Sequence, residues 1–421
     1  MATLASGVES NRVVTLDIIR GVAVMGILAM NIVAFAMPIQ AYFNPFAYGG
    51  SAVDQFVYAL NFVFIDGKMR GLFSVLFGAS MLLVIQRACA AGQSAAAVTY
   101  SRQLWLLVFG AIHFYLIWFG DILFGYALTG MVAFLFRNLG VRALVAWGVM
   151  LVLLQFSLMA FSTVEAQQAA AAAAAPDATP AALQAWQDFS QDFAVPSAAK
   201  LHGILALHLG PWTGIVRQQL ADHLTDPLFF SIFFGPETLA YMLFGMAGLK
   251  SGLLTGEWQH RRYIRLAALC LAIAVPAYGF IAWQLFADGF SVSGIFAWYM
   301  AAATLVRPLM VLAYAALIIM ATRGGGRLVD RIAAAGRAAF TNYLGTSILM
   351  TGLFYGWGFG LYGALDRAQL WLVVIVMWAV MLAWSKPWLD RCQYGALEWL
   401  WRSLSRGSLQ PMRKGERLPA A

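Results

Sequence analysis

Charge is what this chain has least of. Only 11% of its 421 residues are Asp, Glu, Lys or Arg and 62% are hydrophobic, whereas a soluble domain carries about 25% charged residues. So few charges do not solvate an ordinary surface. That excludes a soluble enzyme, a disordered chain and a nucleic-acid binder. Cysteine is scarce too: Cys89, Cys270 and Cys392 lie far apart with no CxxC pair, so neither a disulfide framework nor a zinc site is indicated. Of the five histidines, His202, His208 and His223 share one segment, but their spacings of six and fifteen match no metal motif. The triplet Ala34-Phe35-Ala36 imitates a signal-peptidase site after an apolar run. Nothing downstream resembles a soluble mature domain, however, so a retained helix is expected.

What is present is hydrophobic length. Crossing the hydrocarbon takes roughly 20 apolar residues per helix, and ten segments qualify: 13–37, 69–87, 103–119, 121–136, 143–163, 227–249, 264–287, 294–321, 338–363 and 370–388. The expected fold is therefore an all-α, polytopic integral membrane protein of about ten transmembrane helices. Its parts are an N-terminal membrane half (1–163), an extracytoplasmic loop (164–226) and a C-terminal membrane half (227–421). Basic residues stay on the cytoplasmic side of short loops. With the N-terminus inside, 19 of the 27 Lys and Arg residues, from Arg12 to Arg417, fall on that side, and only Lys200, Arg217 and Arg367 fall outside. The net charge of +8 thus reads as topology, with both termini cytoplasmic in a bacterial inner membrane. The same asymmetry makes 54–87 one crossing, preceded by an interfacial or re-entrant helix near 54–65. Residues 164–226 begin with an alanine-rich run, then turn amphipathic around 183–194 and 198–224. This segment reads as a lid at the membrane surface, and 389–405 reads as a cytoplasmic interfacial helix.

Ionisable groups at membrane depth cost on the order of 2.5–3.5 kcal/mol each on insertion scales, which makes every one a functional candidate. Asp17 and Arg20 are spaced to pair on the first helix, and Asn31 returns to nearly the same face. A helix-start ion pair with a snorkelling arginine is the structural alternative. Lys68 and Arg70 belong at the outer end of the second span or in a cavity below it. His113 lies midway along the third span, with Asp121 at the following turn. A neutral imidazole oriented by a carboxylate is a general base. Eight residues place the two roughly 12 Å apart along a helix, unless the turn folds Asp121 back; a core histidine and a helix-capping aspartate are the alternatives. Glu237 and Arg307 sit near the centres of their spans beside Pro236 and Pro308. They either pair structurally or line a polar cavity.

Several strings coincide with one family. Leu16-Asp17-x-x-Arg20-Gly21 with Gly26-Ile27-Leu28-x-x-Asn31, then Gly67-Lys68-x-Arg70-x-Leu72-Phe73-Ser74, then Gly110-x-x-His113 and Gly120-Asp121-Ile122-Leu123, resemble the YeiB-type bacterial membrane proteins. Thr341-Asn342-Tyr343-Leu344 and Tyr394-Gly395-x-Leu397-Glu398-Trp399 are similar to the domain of unknown function that defines them. The resemblance covers nearly the whole chain outside the alanine-rich loop. Through its N-terminal half it extends to transmembrane acyltransferases, which move an acyl group from a cytoplasmic CoA thioester to an extracytoplasmic hydroxyl or amine. It implies no permanently bound cofactor and no metal, acyl-CoA as co-substrate, and a cell-envelope or small-molecule acceptor among membrane lipids. In that reading Arg20, Asn31, Lys68, Arg70, Glu237 and Arg307 contact substrate. His113 is the base, with Asp121 as its partner, and Asp17 and Asn342 are structural. Where acyltransferase-3 proteins carry a histidine in the first span, this chain has Asn31, which leaves the base role to His113. The oligomeric state stays open. Two other readings compete: a carrier for a small polar or anionic solute centred on Glu237 and Arg307, and a non-catalytic lipid-binding or sensing protein.

Overall fold

The computed structural model describes residues 13–415, so Arg12 and Arg417 of the basic tally lie outside the described residues. The described chain is helical, with one isolated β-bridge, Cys392 to Arg413. In order, the helices are α1 Val14–Ala36, α2 Gln40–Phe43, α3 Ala52–Phe64, α4 Lys68–Ala90, α5 Ala95–Ile112 with a π-helical extension His113–Ile117, α6 Leu123–Ala133 and α7 Val141–Ala173. Three short helices follow, α8 Pro180–Ser190, α9 Ala198–His208 and α10 Trp212–Asp222. The second half holds α11 Asp226–Phe233, α12 Gly235–Lys250, α13 His260–Ala287, α14 Val292–Thr322 with a π-helical stretch Ile295–Ala302, α15 Arg327–Arg337, α16 Ala339–Phe354, α17 Arg367–Arg391 and α18 Ala396–Arg406.

Among the described residues, seven helical stretches are long and apolar enough to cross a membrane: α1, α3 with α4, α5, α7, α13, α14 and α17. Together α11 and α12 make an eighth, bent by 58°. The remaining two expected spans are shorter than predicted. Leu123–Phe136 has 14 residues and α16 has 16; at 1.5 Å per residue these reach only about 21 and 24 Å. Helix α16 stops at Phe354 because Gly356, Gly358, Gly360 and Gly363 follow within a run of turns. The segment 54–87 counts as one crossing, as expected: α3 precedes α4 across Ile65–Gly67, and the two form one apolar stretch of 39 residues, Ala52–Ala90. Exposed apolar side chains line the outward faces of α7, α13 and α17, among them Leu153, Phe161, Leu269, Trp283, Leu372 and Val376, as lipid-facing helices require.

Helix α1 is the exception. Seventeen of its 23 residues are buried, so it is surrounded by protein. Small residues permit this: a Cβ on Gly21 would sit 2.1 Å from the Ile332 carbonyl, and one on Gly336 would sit 1.9 Å from that of Asp17. The same device joins α4 to α12, where a Cβ on Gly78 would meet the Met242 carbonyl at 2.0 Å and one on Gly245 the Val75 carbonyl at 1.8 Å. Close backbone approach through small residues is how helices associate in lipid.

The loops sort into two ends. At one, Lys250 donates to the carbonyls of Arg137 and Leu139, Arg323 to those of Gly256 and Trp258, and Trp401 to that of Arg102. At the other, Gln40 meets Gln191, Trp212 meets Leu116, Tyr115 meets Leu224, and the Gly356 amide meets the His208 carbonyl. Basic residues crowd the first end, and the 164–226 segment caps the second. The alanine run forms the last turns of α7. His208 lies flat on Tyr362, with ring centroids 4.3 Å apart, and its Nδ1 lies 2.9 Å from the Ile204 carbonyl. Burial lowers its pKa below the usual histidine value. His223 goes to Asp226 at 2.8 Å instead.

Two outcomes follow from this packing. Gly245→Ala forces backbone apart and is expected to cost about 1–3 kcal/mol, whereas Gly279→Ala, with open space around it, is expected to be neutral or stabilising; thermal unfolding midpoints of the purified variants decide. Because the folded His208 titrates below the unfolded value, docking of α9 is fully stable above pH of about 6.5 and weakens as pH falls below it. Hydrogen exchange across 198–210 should therefore speed up at pH 5.5 relative to pH 8 beyond the intrinsic rate, and His208→Gln should remove that dependence.

Candidate functional site

Sequence spacing leaves His113 and Asp121 too far apart along a helix, and the chain between them closes the gap. The last turn of α5 widens into the π-helical segment and stops at Ile117; residues 118–122 then turn back. Gly110 makes room, since a Cβ there would lie 2.3 Å from the Phe124 amide nitrogen. Asp121 lands with Oδ1 2.8 Å from His113 Nδ1 and Oδ2 accepting from the Phe124 amide at 2.7 Å. Both side chains are completely enclosed. A carboxylate acceptor assigns the proton to Nδ1, which leaves the Nε2 lone pair free, and Nε2 has no hydrogen-bond partner. The imidazole packs against Tyr343 and Trp118, with centroids at 5.2 and 6.3 Å.

Tyr343 is shared with a small gap between α1 and α16. Asn31, Phe35, Tyr343, Thr346 and Ser347 line it, and its volume of about 10 Å³ holds roughly one water. Thr346 Oγ1 has no partner, nor does the indole N–H of Trp118, whose ring stacks on Phe35 at 3.8 Å. Buried donors and acceptors normally find partners, and among the residues lining this gap Thr346 carries a buried oxygen without one. Sequence reasoning missed Tyr343 and Thr346, because a tyrosine and a threonine on an apolar helix carry no charge to draw notice.

Glu237 forms the second centre. At the bend between α11 and α12, Pro236 begins a new helix and places Glu237 in its first turn. The carboxylate accepts from Arg70 Nη2 at 2.7 Å through Oε2 and from Arg307 Nη1 through Oε1. The Glu237–Arg307 pairing anticipated from depth is present, and Arg70 joins it. Lys68 does not. It is fully buried, donates to the Phe62 carbonyl and stands 3.4 Å above the centre of the Tyr278 ring. Arg20 is also separate: it bonds Asp17 at 2.9 Å and Ser80 at 2.5 Å, tying α1 to α4. Asn342 donates to the Ala335 carbonyl and Ser385 and accepts from Trp384. Glu398 caps α16 through the amides of Phe340 and Thr341 and the Thr341 hydroxyl. This explains why the two C-terminal motifs occur together.

The arrangement defines a polytopic, all-helical membrane protein whose interior holds a His–Asp dyad and an Arg–Glu–Arg network. The family model described as "Protein of unknown function (DUF418)" matches residues 249–408. "Uncharacterized protein YeiB" of Escherichia coli (strain K12) is 31% identical over 413 residues, covering 95% of this chain and 98% of that protein. "Uncharacterized protein YxaH" of Bacillus subtilis (strain 168) is 30% identical over 443 residues, 98% of this chain and 99% of that one. The chain belongs to the YeiB-type DUF418 family. No solved structure matches it.

Removing one member of a buried ionic network strands the others and costs about 3–5 kcal/mol. Glu237→Ala, which leaves Arg70 and Arg307 facing each other, is expected to lose stability on that scale. Glu237→Ala combined with Arg307→Met should recover part of it, as read from unfolding midpoints in detergent.

Proposed function

We propose that the protein is a membrane-bound acyltransferase that transfers an acyl group from a cytoplasmic CoA thioester to a hydroxyl or amine acceptor at the extracytoplasmic side. The observation carrying this reading is the free Nε2 of His113, opposite a Nδ1 held by Asp121. In the reaction, the acceptor O–H or N–H gives its proton to Nε2 as its oxygen or nitrogen attacks the thioester carbonyl. The C–S bond then breaks, and the leaving thiolate takes the proton back from the imidazolium. Asp121 keeps the ring oriented and balances the imidazolium charge. Asn31, Tyr343 and Thr346 line a gap that shares the Tyr343 ring with the packing of the base. Arg20, Lys68, Arg70, Glu237 and Arg307 bond to partners other than the dyad, Arg20 tying α1 to α4 and Glu237 joining Arg70 and Arg307. The basic end of the bundle faces the cytoplasm of a bacterial inner membrane, following the positive-inside rule.

A second reading has its own support. The 58° break beside Glu237 is the kind of discontinuous helix that forms solute sites in carriers, with Arg70 and Arg307 as the closing partners.

The test is thiol release from acetyl-CoA by the purified protein with sugar and amine acceptors. His113→Ala and Asp121→Asn are expected to lower the rate by on the order of 10²–10⁴ while leaving the unfolding midpoint near wild type for Asp121→Asn. Transfer by His113→Ala at the wild-type rate would remove the assignment. Uptake into proteoliposomes that is lost in Arg307→Ala would favour the carrier.

A further inference from the structure

On the other side of α1 lies a site that the acyl-transfer reading does not use. Asp66, in the break between α3 and α4, accepts from the hydroxyls of Tyr42 and Tyr299, one on each carboxylate oxygen. It forms no ion pair among the described residues. The cation nearest in sequence, Lys68, is turned away onto Tyr278. Each Asp66 oxygen keeps a second lone pair. Across a gap of about 20 Å³ stands Arg367, 3% exposed, with Nη2 committed to the Ala41 carbonyl and Nε without a partner. Tyr42, Tyr58, Phe62 and Tyr299 wall the space between them. A half-buried carboxylate with no ion pair and a buried guanidinium with an unpartnered Nε thus line one aromatic-walled gap. Glu237, by contrast, is directly paired with two arginines.

We propose that this gap is a binding site for a small zwitterion, with an ammonium group received by Asp66 and the tyrosine rings and an anionic oxygen received by Arg367 Nε. Rings favour a cation over their faces, and a charged donor and acceptor lining one gap are complementary to a ligand of opposite polarity at each end. The gap as it stands holds about one water. A zwitterion needs more room than one water, so occupation requires the lining to open, and Tyr42 on its four-residue helix is one of the walls. The chemistry is shared by free α-amino acids and by the phosphoethanolamine headgroup. The site is distinct from the His113 centre: Asn31 lines one gap, while Met30 and Val33 line the other.

The experiment is calorimetric titration of the full-length protein in detergent with L-alanine, ethanolamine phosphate, tetramethylammonium and inorganic phosphate. At least one of the two zwitterions binds saturably, and which one does so identifies the source. The single-charge probes bind at least about tenfold more weakly, and Asp66→Asn and Arg367→Gln each weaken the zwitterion by about tenfold or more. Tyr299→Phe, which keeps the ring and removes one hydroxyl, weakens it by a smaller factor and guards against a misfolded Asp66 variant. His113→Ala binds as wild type. The proposal is overturned if no zwitterion binds, if a single-charge probe binds equally well, if the Tyr299 and Arg367 variants bind as wild type, or if His113→Ala loses binding to the same extent.

Discussion

Glu237 is the interior charge on which the middle of the bundle depends. An isolated carboxylate at that depth would be prohibitively costly, and two arginines from two other helices, α4 and α14, make it tolerable. The arrangement fixes three helices at once, because each partner is itself intolerable alone. It also explains the local backbone. The chain breaks before Pro236 so that Glu237 enters on a first turn, and Gly67 adopts φ +68 where a side chain would meet Arg307 Nε at 2.5 Å. The glycine contacts between α4 and α12 bring these elements near enough for one carboxylate to span them.

Helix content and most spans were legible in the sequence because lipid demands long apolar runs. What the apolar count did not convey was where such runs are cut. Fourteen residues at Leu123–Phe136 and sixteen at Ala339–Phe354 form the last two expected spans, and glycine spacing after Phe354 ends the second. The distribution of Arg and Lys was informative for a related reason. Loops predicted on one side do meet one another at one end of the bundle, as Lys250 with Arg137 and Trp401 with Arg102 show.

The candidate site was legible only where formal charge marked it. His113, Asp121, Glu237 and Arg307 stand out in an apolar sequence, and the structure brings each pair together. The His113–Asp121 distance was not derivable from helical rise, because it depends on a π-helical turn and a reversal over residues 118–122. Arg70 and Lys68 look interchangeable in sequence, yet one joins Glu237 and the other lies over a ring. Asp66 drew no notice in the sequence, and Arg367 was counted only as a cation on the outer side. Only tertiary packing places them on one gap.

Helix α1 separates two small gaps and is hemmed in by backbone contacts at Gly21. Neighbouring residues on a helix point about 100° apart, so Met30 and Asn31 face different rooms through one wall. A rigid partition of this kind cannot shift toward one room without drawing back from the other. The two gaps therefore share one wall, and a substitution that repositions α1 alters the lining of both.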